Sequence, residues 1–370
     1  MNNSKVSDLL EKAKEGAILS DLDGIFLYEK APLSDLAQAA NHIRNQKVDP
    51  SQVTYLVDRN INYTNVCTAA CKFCAFYRPP GHGESYILNR EEIGQKIEEL
   101  IQIGGTRILM QGGHHPELRL AWYTELLSWL KTTYPSIALD CFSPSEIDNL
   151  CEVEGRGASF ILSALKDAGL SGLPGGGGEN LDPEVRERVS PKKTSGKRWL
   201  EIMEVAHSLG LRTTASMVIG FGEKIPNRVR HFSMLREQQR KSQELFQTGF
   251  TAFISWPLQH EKTPLGRQSR YRGTLGASPS DYLRNLAFSR LFMGNFDHFQ
   301  ASWPTMGFEI AQVALHYGAD DFGSTMMEEN VVSQASSTTE VRATIDVIRS
   351  HIQDAGYDYR QRNSAYEIVA

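Results

Sequence analysis

The stretch NREEIGQKIEELIQIGGTRILM, residues 89–110, joins a helix pattern directly to a strand pattern and so points to the fold class. Asn89, with Glu92 three residues later, forms a capping box, which predicts that a helix begins here. Apolar residues then recur at helical spacing, and Gly104 predicts the end of the helix. The apolar run RILM that follows, at 107–110, predicts a short buried strand.

Six further stretches have strand character, and helical patterns separate most of them. They are INYT (61–64), IALDCF (137–142), LRTTASMVI (211–219), FTAFISW (250–256), HFQASW (298–303) and GADDF (318–322). Strands that alternate with helices are typical of a parallel sheet with crossover connections. We therefore predict an α/β fold of the (β/α)8 TIM-barrel type, with an open doubly wound sheet as the alternative.

The sequence also predicts how the chain is organised. We expect a helical N-terminal segment at residues 1–50, the barrel at 51–335, and a C-terminal helix and tail at 336–370. Polar and glycine-rich segments directly follow several strands, among them QGGHHP, SPSE and PGGGGE. The carboxyl ends of parallel strands form one face of a barrel, so these segments are expected to meet at one active site.

Composition and charge narrow the function classes. The 370 residues are 41% hydrophobic with a net charge of -5, and the basic residues are scattered, which argues against a nucleic-acid partner. No apolar run approaches the roughly 18 residues of a membrane helix, and the first residues lack the apolar core of a signal peptide. We expect a cytoplasmic protein without a membrane partner.

Three of the five cysteines lie within CTAACKFC, at Cys67, Cys71 and Cys74. Thiolates at this C-x3-C-x2-C spacing can bind three irons of a [4Fe-4S] cluster and leave the fourth iron open for S-adenosylmethionine. Phe73 would shield such a cluster. The alternative is a structural zinc site with His82 as fourth ligand, although zinc sites usually use two separated pairs of ligands.

Several motifs together carry a resemblance to a known family. They are RNINYTNVC, CKFCAFYR, ILMQGG, FSPSEI, LPGGGGE, RVSPKK, FTAFISWP, QASW and DFGSTMMEENV. From about residue 50 to 335 the chain resembles the radical S-adenosylmethionine enzymes of the futalosine route to menaquinone. CAFYR, LPGGGGE and SPKK favour the cyclases of this family over the aminofutalosine synthases and the enzymes that couple tyrosine to a flavin-like precursor. Phe221, Asp320 and Ser324 depart from the family pattern.

The resemblance implies which residues bind the two cofactors, a [4Fe-4S] cluster and S-adenosylmethionine. Gln111, Gly112 and Gly113 would let the backbone approach the methionine part of the cofactor. Ser143 and Glu146 would hydrogen-bond its polar groups; the alternative for SPSE is a helix cap beginning at Ser145. Glu179 of PGGGGE would reach inward toward the bound ligand. The roles of these six residues follow from the family pattern.

The resemblance also implies a reaction. A 5'-deoxyadenosyl radical removes a hydrogen from the ribose of dehypoxanthine futalosine, the sugar radical adds to the aromatic ring, and loss of one electron and one proton restores aromaticity. An electron donor such as flavodoxin or ferredoxin would reduce the cluster. The alternative from another class is a regulatory module that binds zinc or a cluster without catalysis.

Two further residue sets complete the expected site. A basic group near the mouth is expected to bind the benzoate carboxylate of the substrate, and the candidates are Arg78, Lys192 and Lys193. A base is needed for the proton that leaves the ring, and the candidates are Asp321, Glu328 and Glu329.

Overall fold

The computed structural model describes residues 2–271, 273–336 and 343–369. Its helices are α1 (Asn2–Lys14), α2 (Asp21–Lys30), α3 (Leu33–Lys47), α4 (Arg90–Gln102), α5 (Leu120–Thr133), α6 (Pro144–Glu154), α7 (Ala158–Asp167), α8 (Pro183–Val189), α9 (Gly196–Ser208), α10 (Ile225–Phe246), α11 (Pro279–Phe292), α12 (Trp303–Met306), α13 (Phe308–Ala314), α14 (Val331–Ala335) and α15 (Ile345–Asp354). Its strands are β1 (Gln52–Leu56), β2 (Asp58–Ile61), β3 (Arg107–Met110), β4 (Ala138–Cys141), β5 (Gly172–Leu173), β6 (Arg212–Ile219), β7 (Phe250–Pro257), β8 (His298–Gln300), β9 (Asp321–Ser324) and β10 (Asp358–Arg362). None of the described helices is long and apolar enough to cross a membrane.

The strands form one parallel sheet in the order β10-β1-β9-β8-β7-β6-β5-β4-β3-β2. Only Val57 separates β1 from β2, yet β1 pairs with β9 while β2 pairs with β3. The sheet therefore curls so that its two sides meet at residues 52–61, with helices between most successive strands. The predicted α/β fold of the TIM-barrel type is confirmed.

The helix and strand predicted at 89–110 are confirmed as α4 and β3. The Asn89 side chain accepts a hydrogen bond from the Glu92 backbone N–H at 2.9 Å, and Glu92 Oε2 accepts one from the Asn89 N–H at 2.7 Å. These two bonds form the predicted capping box. The helix ends at Gln102, and Gly104 follows it with φ of 75°.

The first barrel strand was predicted in the wrong place. INYT was expected at 61–64, whereas the strand run occupies 52–61 and is interrupted at Val57. The run contains Asp58 and Arg59, two charged residues that are nevertheless buried. Arg107 pairs with Asp58, which lets the carboxylate lie inside the barrel. Buried charges of this kind interrupt the apolar pattern on which strand prediction depends.

Other predicted strands are shorter than expected. HFQASW forms a strand only at 298–300, because a short helix with proline in its first turn begins at Trp303. In GADDF the strand starts at Asp321 and extends to Ser324. The sequence prediction placed only a helix and tail at 336–370, whereas the structure also contains β10 there, paired with β1. The proposed division of the chain at residues 50 and 335 stays a prediction.

The C-terminal residues reach the interior of the barrel. Arg362 pairs with Asp321 through both carboxylate oxygens and is fully buried. The ring of Tyr366 stacks on the ring of His298 with centroids 3.6 Å apart, and Ser364 donates a hydrogen bond to Asp140 at 2.7 Å. This segment therefore forms part of the floor beneath the central cavity.

Candidate active site

A cavity of about 370 Å³ opens among the interior strand faces and the loops that follow their carboxyl ends. Twelve of the predicted site residues line it: Cys67, Cys71, Phe73, Cys74, Gln111, Gly112, Gly113, Ser143, Glu146, Glu179, Lys193 and Glu329. Four predicted residues are absent from the described lining: Arg78, Lys192, Asp321 and Glu328. The expectation that polar segments after the strands meet at one face thus agrees with the geometry.

The three motif cysteines lie on the loop after β2. Burial raises the pKa of Cys71 to about 12. Burial also raises the pKa of Cys74, although hydrogen bonds from the backbone N–H groups of Tyr77 and Phe76 favour its thiolate and oppose this shift. Cys67 Sγ accepts a hydrogen bond from the His114 backbone N–H at 3.3 Å. Backbone donors directed at sulfur are what an iron–sulfur cluster uses around its thiolate ligands.

The remaining two cysteines lie elsewhere. Cys141 is in β4 and Cys151 in α6, both are buried in the core, and neither lines the cavity. Within the described residues, no three His, Cys, Asp or Glu side chains converge on a single metal ion. The three motif thiols all line the same cavity.

Arg78 holds the cysteine loop and does not reach the cavity. Its Nη1 donates to the carbonyl oxygens of Ala75, Phe76 and Tyr77 at 3.0 to 3.2 Å. Its Nε donates to Glu84 at 2.6 Å. These partners hold the guanidinium at the cysteine loop, outside the cavity lining, so it is not placed to meet a substrate carboxylate inside the cavity.

Glu146 positions the loop that follows β3. Its Oε1 accepts hydrogen bonds from the Gly112 N–H and the Tyr63 hydroxyl, both at 2.9 Å, and its Oε2 accepts one from Ser143 at 2.8 Å. Burial raises the pKa of Glu146, although these three hydrogen bonds oppose the shift. A Cβ on Gly112 would lie 2.6 Å from the Tyr63 ring, and one on Gly113 would lie 2.2 Å from the Val66 carbonyl oxygen. Glycine is thus required for this close packing.

A helix cap is present at SPSE, but it differs from the one considered from sequence. Ser143, and not Ser145, caps α6, and its hydroxyl accepts a hydrogen bond from the Glu146 N–H at 3.3 Å. The Ser145 hydroxyl instead contacts His114 Nε2 at 2.8 Å. Pro144 directly after the cap is the signal that could have identified Ser143.

The PGGGGE loop packs on β6 and on the glycine loop after β3. The Gly175 N–H donates to Thr214 at 3.0 Å, and Ser216 donates to the Gly175 carbonyl at 2.7 Å. A Cβ on Gly176 would lie only 2.4 Å from the Gln111 amide nitrogen. The glycines of this loop allow its backbone to lie close to β6 and to the Gln111 side chain, so the run is explained without a phosphate-binding motif.

Glu179 and Lys193 form a buried ion pair beside the cysteines. Lys193 Nζ lies 2.5 Å from Glu179 and 5.7 Å from the centre of the Phe73 ring. Burial tends to raise the pKa of Glu179, but the charges of Lys193 and Arg186 lower it below its usual value. Lys192, in contrast, is exposed to solvent.

The three candidate bases have different surroundings. Asp321 forms an ion pair with Arg362. Glu328 forms ion pairs with Arg59 at 3.2 Å and with Lys96 at 2.5 Å. Neither of these two carboxylates is in the described cavity lining. Glu329 does line it and accepts hydrogen bonds from backbone N–H groups at the start of α14. Burial raises the pKa of Glu329 to about 6. A carboxylate with such a pKa can accept a proton near neutral pH.

The residues that depart from the family pattern have defined contacts. Phe221 packs against Phe73 with ring centroids 5.2 Å apart. Asp320 is buried, accepts a hydrogen bond from the Phe299 N–H at 2.8 Å and contacts His298 Nδ1 at 2.6 Å. Ser324 lines the cavity. The first two departures therefore complete local packing and hydrogen bonding.

Sequence reasoning missed several cavity residues, including Arg212, Thr214 and Ser216. Strand β6 alternates strictly between buried and partly exposed positions, and the partly exposed residues Arg212, Thr214 and Ser216 face the cavity. The alternation in RTTASMVI was a usable signal, because in a barrel one face of each strand points inward.

Two family models match the chain. One describes the radical SAM superfamily and matches residues 61–235, and the other describes the CofH/MqnC C-terminal region and matches residues 247–370. Together they span the cysteine loop and the C-terminal segment that reaches the cavity floor.

Relatives are similar over nearly the full chain. A cyclic dehypoxanthine futalosine synthase of Halalkalibacterium halodurans is 42% identical over 98% of this chain and 95% of its own length. A protein of the same name from Streptomyces coelicolor is 37% identical over 97% of this chain and 88% of its own length. A 5-amino-6-(D-ribitylamino)uracil–L-tyrosine 4-hydroxyphenyl transferase of Trichormus variabilis is 34% identical over 100% of this chain and 96% of its own length.

Solved structures with low sequence identity share the fold. Methylornithine synthase superposes with a TM-score of 0.74 at 18% identity, covering 96% of this chain and 98% of that chain. The [FeFe]-hydrogenase maturase HydG superposes with a TM-score of 0.74 at 15% identity, covering 98% of this chain and 77% of that chain. The fold, the family models and the full-length relatives agree, and the chain belongs to the radical SAM superfamily, in the family that includes the cyclic dehypoxanthine futalosine synthases.

Proposed function

We propose that this protein is a radical SAM enzyme that converts dehypoxanthine futalosine to cyclic dehypoxanthine futalosine in menaquinone biosynthesis. The observation that carries the proposal is full-length similarity, at 42% and 37% identity, to two proteins of that named activity. The cavity supports it, because the motif cysteines, the glycine loops and a buried carboxylate all line one space.

The motif cysteines Cys67, Cys71 and Cys74 would hold the [4Fe-4S] cluster, and the loops at 111–113 and 175–177 would contact S-adenosylmethionine. When bound, these two groups together supply the carbon radical that takes one hydrogen atom from the substrate. Phe73 and Phe221 form an aromatic wall beside the cysteine loop. This wall would limit the access of water to the reacting centre.

Glu146 would act by positioning rather than by direct cofactor contact. All three of its hydrogen bonds go to protein groups, and one of them fixes the Gly112 N–H. Because the carboxylate is already engaged, the loop that it orders is the part available to the cofactor.

Glu329 is the base that we propose for the proton released when the aromatic ring is restored. It is the one of the three candidate carboxylates that lines the cavity, and its raised pKa suits proton uptake at neutral pH. Asp321 and Glu328 would instead stabilise the barrel through their ion pairs with arginine and lysine.

The enzyme would require a reduced intracellular environment and an electron donor. All five cysteines are free thiols, as is usual for proteins of the cytoplasm. A small electron carrier such as a flavodoxin or ferredoxin would reduce the cluster.

Anaerobic turnover tests the proposal. The reconstituted enzyme is incubated with S-adenosylmethionine, a reductant and dehypoxanthine futalosine, and the products are analysed by mass. We expect 5'-deoxyadenosine to form with turnover and the substrate to lose a mass of two hydrogens. A Cys141→Ala variant is the matched control and should remain active. A product that joins adenosine covalently to an enolpyruvyl benzoate, with release of carbon dioxide, would instead indicate an aminofutalosine synthase.

A further inference from the structure

Arg212 lies deep in the central cavity, far from the cysteine loop. It is the first residue of β6, an eight-residue strand, so its Cα lies about 20 Å along the strand direction from the carboxyl end. Its side chain is partly exposed to the cavity, and its Nε is buried without a hydrogen-bond partner among the described residues. A guanidinium has five N–H donors, so this one retains a large unused capacity.

The other cations of the cavity are neutralised. Four basic side chains line the described cavity, and three of them have carboxylate partners. The pairs are Arg107 with Asp58, Lys193 with Glu179, and Arg362 with Asp321. Within the part of the chain that the structure describes, no carboxylate lies within ion-pair distance of Arg212. Arg212 is thus the cation of the lining that is free to bind an anion.

The surroundings of Arg212 define the class of anion. The cavity lining also carries Leu109, Ile254 and Trp256, which offer apolar and aromatic surface. Ile254 and Trp256 lie opposite Ser216 and Val218, further along β6 than Arg212. A planar ring packs well against such a wall, while a carboxylate matches the planar fork of a guanidinium through two parallel hydrogen bonds. The chemistry that fits is an aromatic carboxylate that enters from the mouth with its acid group leading, so that the acid group lies at the floor and the ring lies behind it.

We propose that Arg212 binds the aryl carboxylate of the substrate. The inference rests on the proposed function, since the substrate named there carries a benzoate. It replaces the expectation that a basic group at the mouth does so, because Arg78 is engaged by the cysteine loop, Lys192 is exposed and Lys193 is paired. With the acid group held at the floor, the rest of the substrate extends toward the cysteine loop.

Binding measurements on the cluster-loaded enzyme, with S-adenosylmethionine but without reductant, test this role. The ligands are dehypoxanthine futalosine and its analogue in which the carboxylate is a primary carboxamide. We expect the native enzyme to prefer the acid by about 10- to 150-fold, the range for loss of one charge-assisted hydrogen-bonding contact. Arg212→Gln should remove most of that preference, and Arg212→Lys should retain part of it.

The control variant is Arg240→Gln, which removes one positive charge from the exposed face of α10. It should bind both ligands like the native enzyme. Arg212→Gln should also raise the KM for dehypoxanthine futalosine. Because the Arg212 guanidinium has no hydrogen bond in the described structure to lose, the melting temperature of the variant should stay near that of the native protein.

Two outcomes separate this inference from the proposed function. If the native enzyme forms the cyclic product but Arg212→Gln keeps the full preference for the acid, Arg212 is not the carboxylate site and the function stands. If the native enzyme does not turn over the substrate, the role of Arg212 is tested with 3-acetylbenzoate instead. Its binding to the native enzyme and to Arg212→Gln is measured by NMR line broadening. A signal that depends on Arg212 supports an aryl-carboxylate site, and an equal signal in the variant overturns it.

Discussion

Removal of the Glu146 carboxylate should loosen the loop after β3 and weaken cofactor binding. In Glu146→Ala, the Gly112 N–H, the Tyr63 hydroxyl and the Ser143 hydroxyl all lose their acceptor. Both hydroxyls can rotate toward other groups, and the Tyr63 oxygen already lies 3.4 Å from that of Tyr123. The backbone N–H cannot rotate, so it loses its acceptor at a part-buried position.

The magnitude follows from these contacts. One orphaned buried donor costs about 1–3 kcal/mol, and the two weakened hydroxyl contacts add to it, so we expect a loss of about 2–4 kcal/mol in the free energy of unfolding. Glu146→Gln keeps an oxygen for the Gly112 N–H and should cost about 1 kcal/mol or less. The dissociation constant for S-adenosylmethionine should rise about tenfold in the alanine variant and change little in the glutamine variant.

Urea unfolding measures the free energy of unfolding, and anaerobic equilibrium dialysis measures the dissociation constant for S-adenosylmethionine. Glu152→Ala, an exposed position on the same helix, is the matched control and should behave like the native protein. Unchanged stability and cofactor affinity in Glu146→Ala would refute the positioning role. A glutamine variant that loses cofactor affinity as strongly as the alanine variant would show instead that the charge itself contacts the cofactor.

Three further predictions concern the cysteine loop and the proposed base. Single alanine substitutions of the three motif cysteines should abolish the broad visible absorption of the reconstituted cluster, whereas Cys141→Ala should retain it. Gly113→Ala should reduce iron and sulfide content although no cysteine is changed, because its Cβ would meet the Val66 carbonyl at 2.2 Å; a variant with full metal content would contradict this. Burial raises the pKa of Glu329 to about 6, so the folded protein holds that proton more tightly than the unfolded chain does. Stability should therefore fall by at most about 2 kcal/mol as pH rises from about 4.3 to about 6, and Glu329→Gln should flatten this part of the pH profile of unfolding. Turnover should rise with pH through the same region in the native enzyme, and an unchanged profile in the glutamine variant would remove Glu329 as the base.

The parts of the fold that follow local rules could be predicted from sequence. Helix α4 has a capping box at Asn89 and a glycine after its end, and both signals lie within a single stretch of residues. The motif cysteines could be chosen as candidate ligands because their spacing limits the chemistry, and the structure places all three at the cavity. Local pattern and local structure agree at these places, so no knowledge of distant contacts was needed.

The parts that depend on distant partners could not be predicted. From the sequence, Asp58 argues against a buried strand. In the structure Arg107, 49 residues later, forms an ion pair with it and neutralises its charge inside the barrel. The arginine at 78 resembles a substrate ligand in sequence, but three neighbouring carbonyls take up its donors in the folded loop. For Arg212 the informative feature is that its Nε has no hydrogen-bond partner among the described residues, which only the assembled barrel reveals. The contacts that each side chain makes or lacks in the folded chain, and not composition, decide these three roles.

The most direct test of the proposed reaction follows a single deuterium atom. Dehypoxanthine futalosine carrying deuterium at the ribose position from which hydrogen is removed is incubated anaerobically with the reconstituted enzyme, S-adenosylmethionine and reductant. We predict that the deuterium appears in 5'-deoxyadenosine, and that the cyclic product lacks it and is lighter than the labelled substrate by one deuterium and one proton. Deuterium that stays in the nucleoside product, with unlabelled 5'-deoxyadenosine, would contradict hydrogen abstraction from the ribose and with it the proposed cyclisation.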